Sequence, residues 1–189
     1  MTTTKEQLTK LLAGGAARCL EILMAGEEIE PAIILLKDAE VKCALVSPWS
    51  GDEHKRSMLG AIRELAAGLE VDAVAMIADV FVGGDRDLRP SQDPSAREAL
   101  LAVGMMPEGL LQAMMLYGRR DDGSIYLDAE KTFEIADDAR SRPGLRADGV
   151  VVEAFAGVLR GDVPVPALGV GDLVKRVEAV GGVVLYAAE

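Results

Sequence analysis

The chain has 189 residues, half of them apolar, which suits one folded domain with a substantial core. Its 31 acidic and 20 basic residues give a formal charge of −11, and the basic residues form pairs such as Lys55–Arg56 rather than a tract. This balance repels phosphate backbones and argues against binding to DNA or RNA.

The cysteines and the single histidine limit the chemistry that the chain can perform. Cys19 and Cys43 each lie in an apolar pattern, which favours two buried thiols over the alternatives of a disulfide or a thiol nucleophile. His54 is the only histidine, so a zinc site made of histidine and cysteine would lack ligands. No G-x-S-x-G motif supports a Ser–His site built on His54. The sequence therefore predicts no cofactor.

The compartment follows from the absence of targeting signals. Residues 1–6 contain no apolar segment typical of a signal peptide. No uninterrupted apolar stretch approaches the roughly 18 residues of a membrane span. Together with the low cysteine content, these features predict a cytoplasmic protein that does not contact membranes.

The first elements are a helix and a hairpin. Thr4 is a suitable N-cap, and apolar residues at helical spacing predict a helix to about residue 25. Gly14–Gly15 is a weak point in this helix or a place of close packing. Residues 32–36 and 41–46 are strand patterns around a short polar break, which predicts a hairpin. The first strand is continuously apolar, so we expect it in the centre of a sheet.

The middle of the chain alternates a helix with further strand patterns. Residues 52–69 carry one apolar helical face. The strand patterns lie at 71–82, 97–103, 111–116 and 124–127. Residues 83–94, rich in Gly, Pro and Asp, form the clearest loop. The turn at 106–109 predicts a second hairpin, although the methionines on either side of it would also suit a helix.

The C-terminal residues are the most ambiguous. Residues 149–159 suit a helix or a strand, with the apolar spacing favouring a helix. Two prolines predict an extended linker at 162–166, followed by a helix at 172–180 and a closing strand at 183–187.

These elements predict one α+β domain over residues 1–189. It comprises an N-terminal helix at 4–25, a sheet core at 31–127 and a C-terminal segment at 149–187. We expect a largely antiparallel sheet built from hairpins, with helices packed on one face. A mixed sheet remains an alternative, because the second strand, the helix at 52–69 and the third strand could form a βαβ crossover.

Four aspartates in or near the long loop are candidate metal ligands: Asp79, Asp85, Asp87 and Asp93. Clustered carboxylates can hold Mg²⁺ or Ca²⁺ through oxygen ligands. Their spacing does not match an EF-hand loop, and a solvated acidic turn is the favoured interpretation.

Trp49, Asp93 and Arg97 are the candidate residues for a ligand or partner surface. Trp49 lies in a Pro-containing turn beside His54 and could line a pocket. The favoured alternative packs its ring under the next helix and directs its N–H to a carbonyl, with His54 exposed. Arg97 can reach Asp87 or Asp93 as a forked donor, which favours a structural clasp over a ligand site.

Residues 31–127 resemble a loose group of uncharacterised small proteins from bacteria and phages. The resemblance rests on the hairpin ending in Ser47-Pro48-Trp49, on Asp93-Pro94 followed by Arg97-Glu98, and on the turn Asp121-Asp122-Gly123. It implies no activity.

Two function classes stand against each other. A non-catalytic binding or protein-interaction module is favoured. Its partner would be another protein or, in a homodimer, a second copy of the chain, because an antiparallel sheet must cover or charge its open edges. The alternative is a metal-dependent hydrolase that uses the loop carboxylates. A further alternative is an acidic decoy for a basic nucleic-acid-binding protein, and it rests on charge alone.

Overall fold

The computed structural model of the protein describes residues 2–82, 96–127 and 149–188. Within these ranges it contains four helices: α1 (Lys5–Met24), α2 (Asp52–Gly68), α3 (Gly149–Leu159) and α4 (Val170–Ala179). It also contains seven strands: β1 (Ala32–Lys37), β2 (Glu40–Val46), β3 (Ala73–Val82), β4 (Arg97–Met106), β5 (Gly109–Arg119), β6 (Ile125–Leu127) and β7 (Val183–Ala187). The predicted α+β class is confirmed.

All seven strands belong to one sheet, in the order β6-β5-β4-β3-β1-β2-β7. Every neighbouring pair is antiparallel, and β1 lies in the interior of the sheet, as its continuous apolar run predicts. Because β2 and β3 both run antiparallel to β1, they are parallel to each other with β1 between them. The β2–α2–β3 segment is therefore a crossover over β1 within a sheet whose adjacent strands are all antiparallel.

Helices cover both faces of the sheet, whereas the sequence led us to expect them on one. On β3, Ala73, Ala75 and Ile77 pack with α1, and Val74 and Met76 pack with α2, α3 and α4. We call these the α1 face and the three-helix face. The strand is apolar at every position from Ala73 to Ala78, so both of its faces need cover.

Glycines allow α1 to approach the sheet closely. A Cβ atom on Gly104 of β4 would lie 2.7 Å from Leu8 Cδ2 and 2.8 Å from Leu12 Cδ1. A Cβ atom on Gly15 of α1 would collide with the side chain of Ile77. Gly15 is thus a close-packing position, whereas a Cβ on Gly14 would meet nothing within 4 Å.

A carboxylate connects the N-terminus to the β1–β2 turn. The Oδ2 atom of Asp72 accepts the amide N–H groups of Thr3 and Asp38, both at 2.9 Å, and its Oδ1 atom accepts the Thr3 hydroxyl. Asp38 and Ala39 form a two-residue turn in which both φ angles are positive, at 56° and 66°. Such turns suit the twist of a hairpin but strain residues other than glycine, so the bonds to Asp72 stabilise this one.

Candidate functional site

A buried tyrosine and a carboxylate meet on the α1 face. The hydroxyl of Tyr117, on β5, donates a hydrogen bond of 2.6 Å to Oδ1 of Asp79, on β3. Tyr117 is only 1% exposed. Burial raises the pKa of Asp79 above its ordinary value, while the bond from Tyr117 acts in the opposite direction. Burial, followed by the bond to Asp79, also raises the pKa of Tyr117.

An ion pair lies beside this tyrosine. Glu98 of β4 is the cross-strand partner of Tyr117, and both of its carboxylate oxygens accept the Nε–H of Arg119 at 3.0 Å. The bond to Glu98 raises the pKa of Arg119, and the guanidinium lies 5.9 Å from the centre of the Tyr117 ring. The carboxylates of Asp79 and Glu98 thus each have a donor already, which makes this cluster suited to holding β3, β4 and β5 together.

The predicted metal site is represented in the structure by one of its four carboxylates. Asp79 lies in β3 with its donor, and Asp85, Asp87 and Asp93 fall outside the described residues. In the ranges that the structure describes, no group of three or more His, Cys, Asp or Glu side chains is arranged to hold a metal ion. The metal site stays a prediction.

The two described candidates for a partner surface, Trp49 and Arg97, lie near the ends of different strands. Trp49 follows β2, and Arg97 begins β4, with β1 and β3 between those strands. Asp93 and Asp87 fall outside the described residues, so the predicted clasp with Arg97 stays a prediction as well.

Trp49 is partly buried and packs against the three-helix core. Its indole N–H donates to the hydroxyl of buried Ser47, at 2.6 Å, instead of to a carbonyl. The ammonium of Lys55 lies 4.4 Å from the centre of the indole ring. Burial lowers the pKa of Lys55, and the charge of Asp52 opposes that shift. The indole of Trp49 is therefore engaged within the fold, through its N–H to Ser47 and through its ring to Lys55.

The two cysteines lie on opposite sides of the sheet. Cys43 is buried in the three-helix core, and Cys19 is partly buried with the residues of the α1 face. Both are free thiols. Burial raises the pKa of Cys43 to about 11, so its thiolate is scarce at neutral pH.

Among the described helices and strands, β7 at one edge of the sheet has the most exposed large apolar side chains. Its Val184 and Ala187 pack against the three-helix core, whereas Val183 and Tyr186 lie opposite Val46 and Ala44 on the other face. Val183 and Tyr186 are each 52% exposed, and Leu185, at the register shift between Ala44 and Leu45, is 67% exposed. In the part of the chain that the structure describes, no strand pairs with the outer edge of β7.

Sequence reasoning located this strand but not its surroundings. The run Val183–Ala187 is apolar, which is equally typical of a central strand and of an open edge. Its pairing with β2, about 140 residues earlier in the chain, decides which of the two it is. The same limit applies to Tyr117 and Asp79, which are 38 residues apart.

Comparison with protein-family models, with curated proteins and with solved structures finds no match for this chain. The resemblance of residues 31–127 to small bacterial and phage proteins is not tested by these comparisons and stays a prediction. Among the described residues, no helix combines the length and the apolar character that a membrane crossing needs.

Proposed function

We propose that this protein is a protein-interaction module that associates with a second copy of itself through the edge strand β7. The observation that carries the proposal is that, among the described residues, the outer edge of β7 is unpaired and three of its apolar side chains are exposed: Val183, Leu185 and Tyr186. Backbone N–H and C=O groups of an edge strand are a template for pairing with another strand. Soluble proteins usually protect such an edge with charges or proline.

The opposite edge of the sheet is protected in ways that β7 is not. β6 has only three residues, and Arg120 lies over the ring of its Tyr126, at 5.5 Å from the ring centre. β7 has five residues, and its Val183, Leu185 and Tyr186 are each more than half exposed, whereas Tyr126 and Leu127 of β6 are 44% and 45% exposed. The difference between the two edges favours β7 as the one that another strand covers.

The charge of the chain favours a second copy at an uncharged strand. Two copies that each carry a formal charge of −11 repel one another. A two-fold antiparallel pairing places the same segment opposite itself, so any charged residue there would face a like charge. β7 avoids this repulsion. Because five residues on each side are fewer than the ~20–30 of a standard interface, we expect weak association that depends on concentration.

The test is the mass of the protein in solution as a function of concentration. We expect sedimentation equilibrium or light scattering to detect a monomer–dimer equilibrium between about 1 μM and about 1 mM. Leu185→Lys places a charge on the edge and should shift that equilibrium to the monomer. Because Leu185 is 67% exposed, the variant should unfold at nearly the same temperature as the parent.

Val165→Lys is the matched control. Val165 is 59% exposed and belongs to the segment between α3 and α4 instead of to β7, so its lysine variant should dimerise like the parent. A parent protein that stays monomeric at every concentration would contradict the proposal. A dimer that Leu185→Lys and Val165→Lys weaken equally, or not at all, would contradict it too.

A further inference from the structure

The turn between β2 and α2 brings together a hydroxyl, an imidazole and a backbone carbonyl. Nε2 of His54 lies 2.7 Å from the carbonyl oxygen of Val180. A carbonyl oxygen only accepts, so Nε2 carries the proton and Nδ1 is the unprotonated nitrogen, whose lone pair faces the backbone N–H and the hydroxyl of Ser50. Ser50 Oγ lies 2.8 Å from that Nδ1 atom, and the amide N–H of Ser50 donates to it at 3.1 Å.

The three groups have the roles of an activated nucleophile. A hydroxyl within hydrogen-bond reach of a base, with the base oriented by a third group, is the arrangement that covalent catalysis uses. The Val180 carbonyl fixes the ring from the far side, although α4 and β7 are remote from α2 in sequence. Ser50 is exposed and His54 is partly buried, so a reagent can reach the hydroxyl while the base is held by the fold.

The beginning of α2 adds donors beside the serine. Gly51 is the N-cap of α2 and has no side chain to accept from the first-turn amides, and the first backbone bond of the helix is from Lys55 to Gly51, at 3.0 Å. Amides in the first turn have no intrahelical acceptor, and they carry the positive end of the helix dipole. Asp52 and Glu53 carry negative charge in the same turn, which offsets this end of the dipole, so the contact between Ser50 and His54 supports acyl transfer and the helix end does not.

From this geometry we propose that Ser50 is a nucleophile that accepts the acyl group of small, uncharged activated esters, with His54 as its general base. Ser50 Oγ forms a bond to the acyl carbon as its proton passes to His54 Nδ1. The bond between the acyl carbon and the ester oxygen then breaks, and the leaving alcohol takes that proton. Water, deprotonated by the same Nδ1, releases the acid and restores Ser50. Asp52 and Glu53, in the first turn of α2, disfavour anionic acyl groups.

The test uses p-nitrophenyl acetate as the acyl donor and the full chain as the acceptor. We expect release of p-nitrophenolate, and a mass increase by one acetyl group that peptide mapping locates on Ser50. Ser50→Ala should lose this adduct. His54→Gln removes the base but keeps an N–H directed at the Val180 carbonyl, so the variant should stay folded and acylate about 100-fold more slowly.

Ser57→Ala is the matched control, because Ser57 is another exposed serine, within α2 itself. Its acylation should equal that of the parent. Acetylation of Ser57 and Ser50 at equal rates would overturn the proposal, as would a His54→Gln variant that acylates as fast as the parent. Leu185→Lys leaves this turn unchanged, so the outcome is independent of the proposed dimer.

Discussion

The close approach of α1 to β4 can be tested by adding one carbon atom to Gly104. In Gly104→Ala the new Cβ would lie 2.7 Å from Leu8 Cδ2 and 2.8 Å from both Leu8 Cγ and Leu12 Cδ1. Carbon atoms that are not bonded to each other prefer about 3.5–4.0 Å. Leu8 Cγ is near the root of its side chain, so a rotation of the terminal methyl groups does not relieve all three contacts. The helix or the strand must move.

The size of the effect follows from two opposing contributions. Overpacking a core costs about 1–3 kcal/mol. Replacing glycine by alanine in a strand otherwise stabilises the protein by about 0.5–1 kcal/mol, because alanine has fewer backbone conformations than glycine in the unfolded chain. Because the new Cβ meets three atoms at once, we take an overpacking cost of about 2–3 kcal/mol and an opposing stabilisation of about 1 kcal/mol, and expect Gly104→Ala to lower the free energy of unfolding by about 1–2 kcal/mol. For a chain of this length, that lowers the midpoint of thermal unfolding by about 2–8 °C.

Urea denaturation with Gly14→Ala as the matched control measures this difference. Gly14 is an exposed glycine in α1, the helix that packs on Gly104, and a Cβ there would meet nothing within 4 Å. Alanine at this position should stabilise the protein by about 0.5–1 kcal/mol, so the two substitutions have opposite signs. The dependence of the free energy on urea should be the same in all three proteins. A Gly104→Ala variant as stable as the parent would refute the packing derived for α1.

Two further substitutions test the polar contacts. Burial raises the pKa of Asp79 in the folded protein, so the folded protein holds the Asp79 proton more tightly than the unfolded chain does. The free energy of unfolding should therefore fall as the pH rises from about 4 through that raised pKa. Asp79→Asn still accepts the hydrogen bond from Tyr117 but does not titrate. The free energy of unfolding of the variant minus that of the parent should therefore be greater at pH 7 than at pH 4. An equal value at the two pH values would contradict the raised pKa of Asp79. Asp72→Ala removes the carboxylate that accepts from Thr3 and Asp38, and should lower the free energy of unfolding by about 1–3 kcal/mol. Chemical denaturation measures this change. An unchanged midpoint would show that these bonds do not stabilise the protein.

Local patterns were sufficient to predict much of the element content. The N-cap at Thr4 and the helical spacing behind it predict α1, which begins at Lys5 and ends at Met24. Thr4 and Gln7 form a reciprocal capping box, in which each side chain accepts from the other residue's backbone N–H. The two-residue turn at Pro107 and Glu108 and the strands around it form the predicted second hairpin. These features depend on a few neighbouring residues, which is why one sequence is enough to predict them.

By itself, the sequence determined the periods of the helices and strands, the turns and the charge, since each is a property of adjacent residues. It also determined that β1 lies inside the sheet, because a strand apolar on both faces must be covered on both. Only the tertiary structure decided that helices lie on both faces, that β7 joins β2 at an open edge, and that Val180 orients His54. Each of these contacts joins parts of the chain that are distant in sequence. Their selection depends on how the complete set of apolar surfaces packs, which no local pattern contains.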